Sequence, residues 1–136
     1  DLAIDEIKAQ YETNVFGLIR TTQAVLPTMR RQKSGIIVNI SSGAGRFGYP
    51  GHSAYISTKF AVEGISESMS YELEPFGIKV VIVEPGVIRT NFGNGLVVAK
   101  KSQDPNSPYS QMMKIANSFE ELMKNSSSPD LVANVV

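Results

Sequence analysis

Two short β-branched runs, Ile36-Ile37-Val38-Asn39-Ile40 and Ile78-Lys79-Val80-Val81-Ile82-Val83, bracket a stretch of helical periodicity, and this order restricts the fold more than any other feature of the chain. The first run is too short for an independent helix and too evenly apolar for a strand with one wet face, so it predicts a buried parallel strand. Between the runs, Val62, Ile65, Met69, Leu73 and Phe76 recur at spacings of three and four, with Ser53 placed to cap a helix and Gly77 to stop it. Strand, helix and strand make a βαβ unit, which crosses over right-handed and gives two parallel strands with a helix on one face. The expected class is therefore α/β.

Upstream, Ile7, Tyr11, Val15, Leu18, Thr22, Val25 and Met29 follow the helical period and predict a long amphipathic helix over 5–29, which Pro27 should kink or end. Residues 43–51 are rich in glycine and predict a loop. In a parallel sheet the ligand crevice lies at the carboxyl ends of the strands. Three pieces of sequence converge there: Ser41-Ser42, the segment from Pro85 to Thr90, and Tyr55 in the first turn of the helix. From Gly93 the chain becomes polar, and Tyr109, Met112, Met113, Ala116, Phe119, Leu122 and Met123 suggest a short helix. Methionine adapts to varied apolar shapes, so residues 93–128 are expected to form a substrate loop or lid, with an amphipathic helix covering the core as the equal alternative. Ser128-Pro129 reads as a cap and a first helical position, opening a helix over 131–136.

Thirteen basic and thirteen acidic side chains give no net charge, which argues against electrostatic capture of nucleic acid or an anionic membrane and favours a small neutral substrate. Without cysteine and with the single His52, no thiolate catalysis, disulfide or familiar zinc site is expected, and no metal is assigned. No apolar run approaches the roughly 20 residues of a membrane span, and residues 1–10 lack the pattern of a signal peptide. A cytoplasmic location is expected.

Tyr55 and Lys59 stand four residues apart, a spacing that puts both on one helix face. A phenol with a reference pKa of about 10 is a poor acid or base at neutral pH, and a fixed positive charge nearby would lower it. Lys59 is expected to supply that charge. Asn14 interrupts the apolar stripe of its helix, where an unpaired amide would cost on the order of 1 to 3 kcal/mol, so it must find a partner. His52 is assigned no chemistry, and Asn39 is expected to tie neighbouring loops together.

These residues resemble the second half of a short-chain dehydrogenase/reductase. Asn14-Val15-Phe16-Gly17 resembles the family's asparagine-centred helix motif, and residues 35–42 its Gly-x-Ile-Val-Asn-Ile-Ser-Ser strand. Tyr55 to Lys59 matches its Tyr-x-x-x-Lys motif, and Pro85-Gly86 with Thr90 its Pro-Gly-x-x-x-Thr segment. The resemblance implies a partial Rossmann-type, doubly wound parallel sheet forming the catalytic portion of a single domain over 1–136. It also implies NAD or NADP as cofactor, and hydride transfer between an alcohol and a carbonyl. By the same resemblance Tyr55 is the acid and base; Lys59 lowers its pKa and holds the nicotinamide ribose; Ser42, with Ser41 as rival, stabilises the reacting oxygen. Asn14 would hold a water linking the lysine to solvent, with pairing in the core as the plainer alternative. Pro85, Gly86, Val87 and Thr90 would lie along the nicotinamide and pyrophosphate. The helices carrying Asn14 and Tyr55 are the surfaces through which the family forms homo-oligomers.

The sequence departs from the family pattern in lacking the Thr-Gly-x-x-x-Gly-x-Gly loop that takes the pyrophosphate. Gly43-Ala44-Gly45-Arg46-Phe47-Gly48 only imitates its spacing, since it follows the serine position and leads into no immediate helix. Two or three strands cannot cover both faces of a parallel sheet, so an apolar face and a bare edge are expected. The residues are expected to belong to a longer, active parent and to be inactive alone. The competing reading is a noncatalytic binding or dimerisation module descended from such an enzyme. Neither the substrate, weakly expected to be apolar, nor the choice between NAD and NADP is encoded in recognisable residues.

Overall fold

The computed structural model describes residues 2–92, 99–109 and 125–136. Its centre is a two-stranded parallel sheet of β1 (Gly35–Ile40) and β2 (Ile78–Val83), paired from Gly35 with Ile78 to Ile40 with Val83. Between them runs α3 (Ser53–Leu73), closed by a 3-10 turn at Glu74–Phe76. Before β1 come α1 (Ile4–Tyr11) and α2 (Gly17–Gln32), joined without a break in helical course by a π-helical segment at Glu12–Phe16. This is a small α/β assembly of partial Rossmann-like architecture. Among the described residues no helix is long and apolar enough to cross a membrane.

The core lies on one face of the sheet. Ile37 and Ile78 pack with Leu73 of α3, and Leu26 and Met29 of α2 and Met69 of α3 close around them. Paired residues of parallel strands share a face, so alternation puts Ile37, Asn39, Ile78 and Val80 on the helix side. The opposite face carries Ile36, Ile40 and Val81, which are 62%, 47% and 43% exposed. The strand expected to be buried on both sides is covered on one only, because α2 and α3 lie on the same side and the described residues place nothing opposite them. The polar member of the covered face, Asn39, donates from Nδ2 to Ser66 Oγ at 2.8 Å, both groups being buried. It ties strand to helix, where loops had been expected.

Pro27 neither ends nor terminates α2, which continues to Gln32. A proline inside a helix removes one amide donor and crowds the carbonyl four residues back. Its own side is exposed, while Leu26 and Met29 beside it are held in the core, so packing keeps the last turn helical. Ser53 is the first helical residue of α3, with His52 in the cap position, so the helix begins without a side-chain cap. The last helix, α4, is confined to Asp130–Ala133, shorter than expected, although Ser128 Oγ accepts from the Asp130 amide at 3.3 Å as a cap would. Of the expected lid, residues 93–98 and 110–124 lie outside the described residues. Lys100–Gln103 form a 3-10 turn, and Ser127 bridges in parallel to Ile88.

Both strands are entered through left-handed turns. Lys33 ends α2 at φ 52°, and the Ser34 amide reaches back to the Met29 carbonyl at 3.3 Å, the pattern of a Schellman close. Gly77 precedes β2 at φ 71°, and a Cβ built there would overlap the Lys33 carbonyl. Glycine is required twice over, by dihedral and by space. Gly77→Ala should destabilise the full-length protein by about 2 kcal/mol or more, read as a lower midpoint in urea with an unchanged slope. An unchanged midpoint would show that the strand entry relaxes freely.

Candidate active site

Strand ends and loops bring the predicted site residues together. Past β1, the Ser41 amide donates to the Val83 carbonyl at 2.8 Å and the Gly43 amide to the Pro85 carbonyl at 3.0 Å, so the ladder extends beyond the strands and binds one loop to the other. Ser42 lies between these two bonds. Its Oγ accepts from the Ala44 amide at 3.2 Å, opening the 3-10 turn at Gly43–Gly45, and its hydroxyl is near enough to the Tyr55 phenol to favour the ionised form. Ser41 differs: its Oγ is buried beside Gly45 and makes no hydrogen bond. Of the two serines, Ser42 is thus the one that acts on the phenol.

Tyr55 and Lys59 share a face of α3 as their spacing predicts, with Lys59 Nζ 5.7 Å from the centroid of the Tyr55 ring. The ammonium donates to the Ile40 carbonyl at 3.0 Å and so ties α3 to the end of β1. Burial pushes the Tyr55 phenol above its ordinary value, with the nearby Ser42 hydroxyl opposing it. This differs from the expected depression by Lys59: the half-buried phenol loses hydration that its anion would need, and that loss outweighs the favourable groups nearby. Burial likewise pushes the Lys59 ammonium down, opposed by the Glu63 carboxylate one turn along.

Asn14 occupies the middle of the π segment, and its Nδ2 donates to Thr58 Oγ1 at 3.0 Å. Thr58 is fully buried and passes its own proton to the Tyr55 carbonyl at 2.7 Å. The side chain of Asn14 therefore reaches α3 through Thr58. A π turn shifts the helical ladder by one residue, and such insertions gather at functional sites. Thr58 was not singled out from the sequence, where it is one threonine inside Tyr-x-x-x-Lys.

Three aromatic rings were also passed over. Phe92 lies 5.7 Å from Tyr55, centroid to centroid, and on the loop after Ser42 the Tyr49 ring stands 4.9 Å from His52 and 6.0 Å from Phe47. Burial, then Tyr55, pushes the Tyr49 phenol up. For Phe47 and Tyr49 the signal was present in the composition of the 43–51 loop, hidden under its glycines. On the other flank, Pro85 is engaged through its carbonyl, Gly86 faces open space, Val87 is half-buried, and Thr90 Oγ1 accepts from the Phe92 amide at 3.2 Å. His52 Nδ1 lies 3.2 Å from the Pro50 carbonyl. Among the described residues no cluster of His, Cys, Asp or Glu is arranged to hold a metal ion.

The chain is similar to known proteins. The profile of the family described as short chain dehydrogenase matches residues 1–101. Oxidoreductase BOA17 of Botryotinia fuckeliana is 41% identical over 141 residues, covering 100% of this chain and 49% of its own length. The crystal structure of a 3-oxoacyl-[acyl-carrier protein] reductase from Brucella melitensis superposes with a TM-score of 0.73 at 30% identity, covering 99% of this chain and 46% of that one. A gluconate 5-dehydrogenase from Burkholderia cenocepacia, solved in complex with NADP and tartrate, superposes with a TM-score of 0.67 at 27% identity over 76% of this chain and 40% of its own. The chain spans about half the length of these relatives.

The Asn14–Thr58–Tyr55 chain makes a direct forecast. Thr58→Val keeps the shape but strips the acceptor from Asn14 and the donor from the Tyr55 carbonyl, and should cost about 1 to 3 kcal/mol, measured by urea unfolding of the full-length protein. Thr58→Ser should retain most of that stability. Equal stability of the valine and serine variants would show that neither hydrogen bond contributes.

Proposed function

Because this chain belongs to the short-chain dehydrogenase family, we propose that it carries the acid–base site of an NAD(P)-dependent oxidoreductase interconverting an alcohol and a carbonyl. The observation that carries the reading is the meeting of Ser42, Tyr55 and Lys59 at one strand end, with the ammonium 5.7 Å from the centroid of the phenol ring and bonded to the Ile40 carbonyl, and the serine hydroxyl near the phenol. Tyr55 gives its proton to the carbonyl oxygen during reduction and recovers it during oxidation. Ser42 donates a hydrogen bond to the same oxygen as charge develops there. Lys59 holds the helix to the Ile40 carbonyl and places a positive charge beside the phenol.

The residues on this rim suit the nicotinamide end of a dinucleotide. An ammonium, a phenol and a hydroxyl offer donors and acceptors matched to ribose hydroxyls and a carboxamide, and Gly86 leaves its flank open. Tyr55 and Lys59 would hold the ribose, and Pro85, Gly86, Val87 and Thr90 would flank the nicotinamide and pyrophosphate. The bound cofactor supplies the hydride. The chain contains no glycine-rich turn for the pyrophosphate, and activity is therefore proposed for the full-length protein and not for these residues alone. The substrate is a small molecule, and the rings of Phe47, Tyr49 and Phe92 favour an apolar one.

Association of copies through α1, α2 and α3 completes the reading, supported by Phe16 and Phe60, each 47% exposed on the helices that carry Asn14 and Lys59. Phe60→Asp should shift the full-length protein to monomer in analytical ultracentrifugation; a monomeric parent would remove this part.

Tyr55→Phe in the full-length protein should lower kcat by about 10² to 10⁴-fold while NADH or NADPH binding, followed by fluorescence, stays near wild type. Turnover at the wild-type rate would sink the assignment. The raised phenol sets the sign of the pH dependence: the proton is held throughout neutral pH, so carbonyl reduction should stay level there and fall only in strongly alkaline solution. Alcohol oxidation, which needs the phenolate, should climb with pH in the same assay.

A further inference from the structure

Arg46 stands on the loop between Ser42 and Tyr55 and touches two other parts of the site. Its Nε and Nη2 donate to the two carboxylate oxygens of Glu84, at 2.9 and 2.6 Å, immediately before Pro85-Gly86. The same Nη2 lies 3.5 Å from Glu63 Oε2. Glu63 is the unusual member, a carboxylate only 7% exposed whose two oxygens make no hydrogen bond. The loop packs directly upon it: a Cβ at Gly45 would meet Glu63 Cγ at 2.8 Å and Oε1 at 2.9 Å. A buried carboxylate that makes no hydrogen bond is costly, and it draws whatever cation is within reach.

Two cations are within reach. One is Arg46. The other is Lys59, four residues earlier on α3 and therefore a neighbour on the same helix face. Glu67, one turn further along, and Glu84 are the remaining charged groups around the cluster, and both are acidic. The ammonium of Lys59 is at present committed to the Ile40 carbonyl and lies over Tyr55, where the acid–base chemistry requires it.

We propose that Arg46 is a positioning residue for the acid–base pair: anchored by Glu84, it occupies the buried Glu63 carboxylate and so keeps Lys59 on Ile40 and Tyr55. The proposal rests on the dehydrogenase reading. Arg46 touches no reacting atom and acts only through Glu63 and Lys59. Without it, Glu63 becomes the better partner for the lysine, and the ammonium swings one turn along α3, away from the phenol. The influence of Glu63 on Lys59 is visible already, since the carboxylate opposes the downward push of burial on the ammonium.

The test is a rescue in the full-length protein, assayed with NADH and NADPH against a panel of aldehydes and ketones headed by diacetyl. Arg46→Met should lower kcat by about tenfold or more and weaken cofactor binding as well, because the displaced Lys59 leaves both the phenol and the ribose. Adding Glu63→Gln, which removes the competing charge, should restore most of the lost turnover. A role confined to holding the loop predicts no such rescue, so a double variant as slow as Arg46→Met overturns the proposal, as does an Arg46→Met enzyme within about twofold of wild type. Should Arg46→Met fail to fold, Glu84→Gln frees the arginine from its exposed anchor and carries the same test: a loss relieved by Glu63→Gln supports the proposal, and wild-type turnover overturns it. Failure of the underlying reading is recognised separately. A wild-type protein that reduces nothing on the panel, or a Tyr55→Phe variant of normal activity, removes both; an inactive Tyr55→Phe beside a normal Arg46→Met removes this proposal alone.

Discussion

The parallel register of β1 on β2 fixes everything at the rim. Because the two strands run the same way, both loops leave the sheet at the same end, and the ladder does not stop with the strands: the bonds of Ser41 to Val83 and of Gly43 to Pro85 carry it into the loops. Ser42 and the Pro85-Gly86 turn are thereby neighbours by backbone hydrogen bonding alone. A slip of one residue would turn Ile37 and Asn39 out of the covered face and move Ser42 off the phenol together, so the apolar core and the site share one constraint.

α3 is the second fixed part. Leu73 and Met69 sit in the core near the entry to β2, and Ala54, Ile56 and Val62 are buried along its first half. That first half is also tied by Lys59 to Ile40 and by Thr58 to Asn14, and Asn39 meets Ser66 further along. Hydrogen bonds demand particular distances and angles where dispersion contacts tolerate small shifts, so the first turns of α3, held by both, are located more sharply than its last. The proton-transfer role proposed for Tyr55 would gain from that sharply located end.

Much of this was legible in the sequence. The β-branched runs at 36–40 and 78–83 specified strands because their signal is local and strong, and Gly77 announced the turn that only glycine can make there. The meeting of Ser42 and Tyr55 followed from topology once the strands were known to be parallel. What escaped has a different physical origin. The π segment around Asn14 depends on Thr58, 44 residues away, and no local pattern encodes such a match. Pro27 misled because propensity was overruled by Leu26 and Met29 in the core. The phenol's upward shift escaped because helical spacing gives the distance to a lysine but not the depth of burial. Arg46 drew no assignment from the sequence, because the role proposed for it depends on two acids brought to it by α3 and the end of β2.

The paired left-handed turns at Lys33 and Gly77 have a consequence for how such a site can change over time. They clamp the strand beginnings, carbonyl against glycine, at the end of the sheet opposite to the serine and tyrosine. Rigidity is thus concentrated away from the proposed site, and the loops at the other end hang from an already determined frame. Substitutions that reshape the rings of Phe47, Tyr49 and Phe92 could alter what the proposed site recognises without loosening the foundation, so specificity and foldability would be free to drift separately.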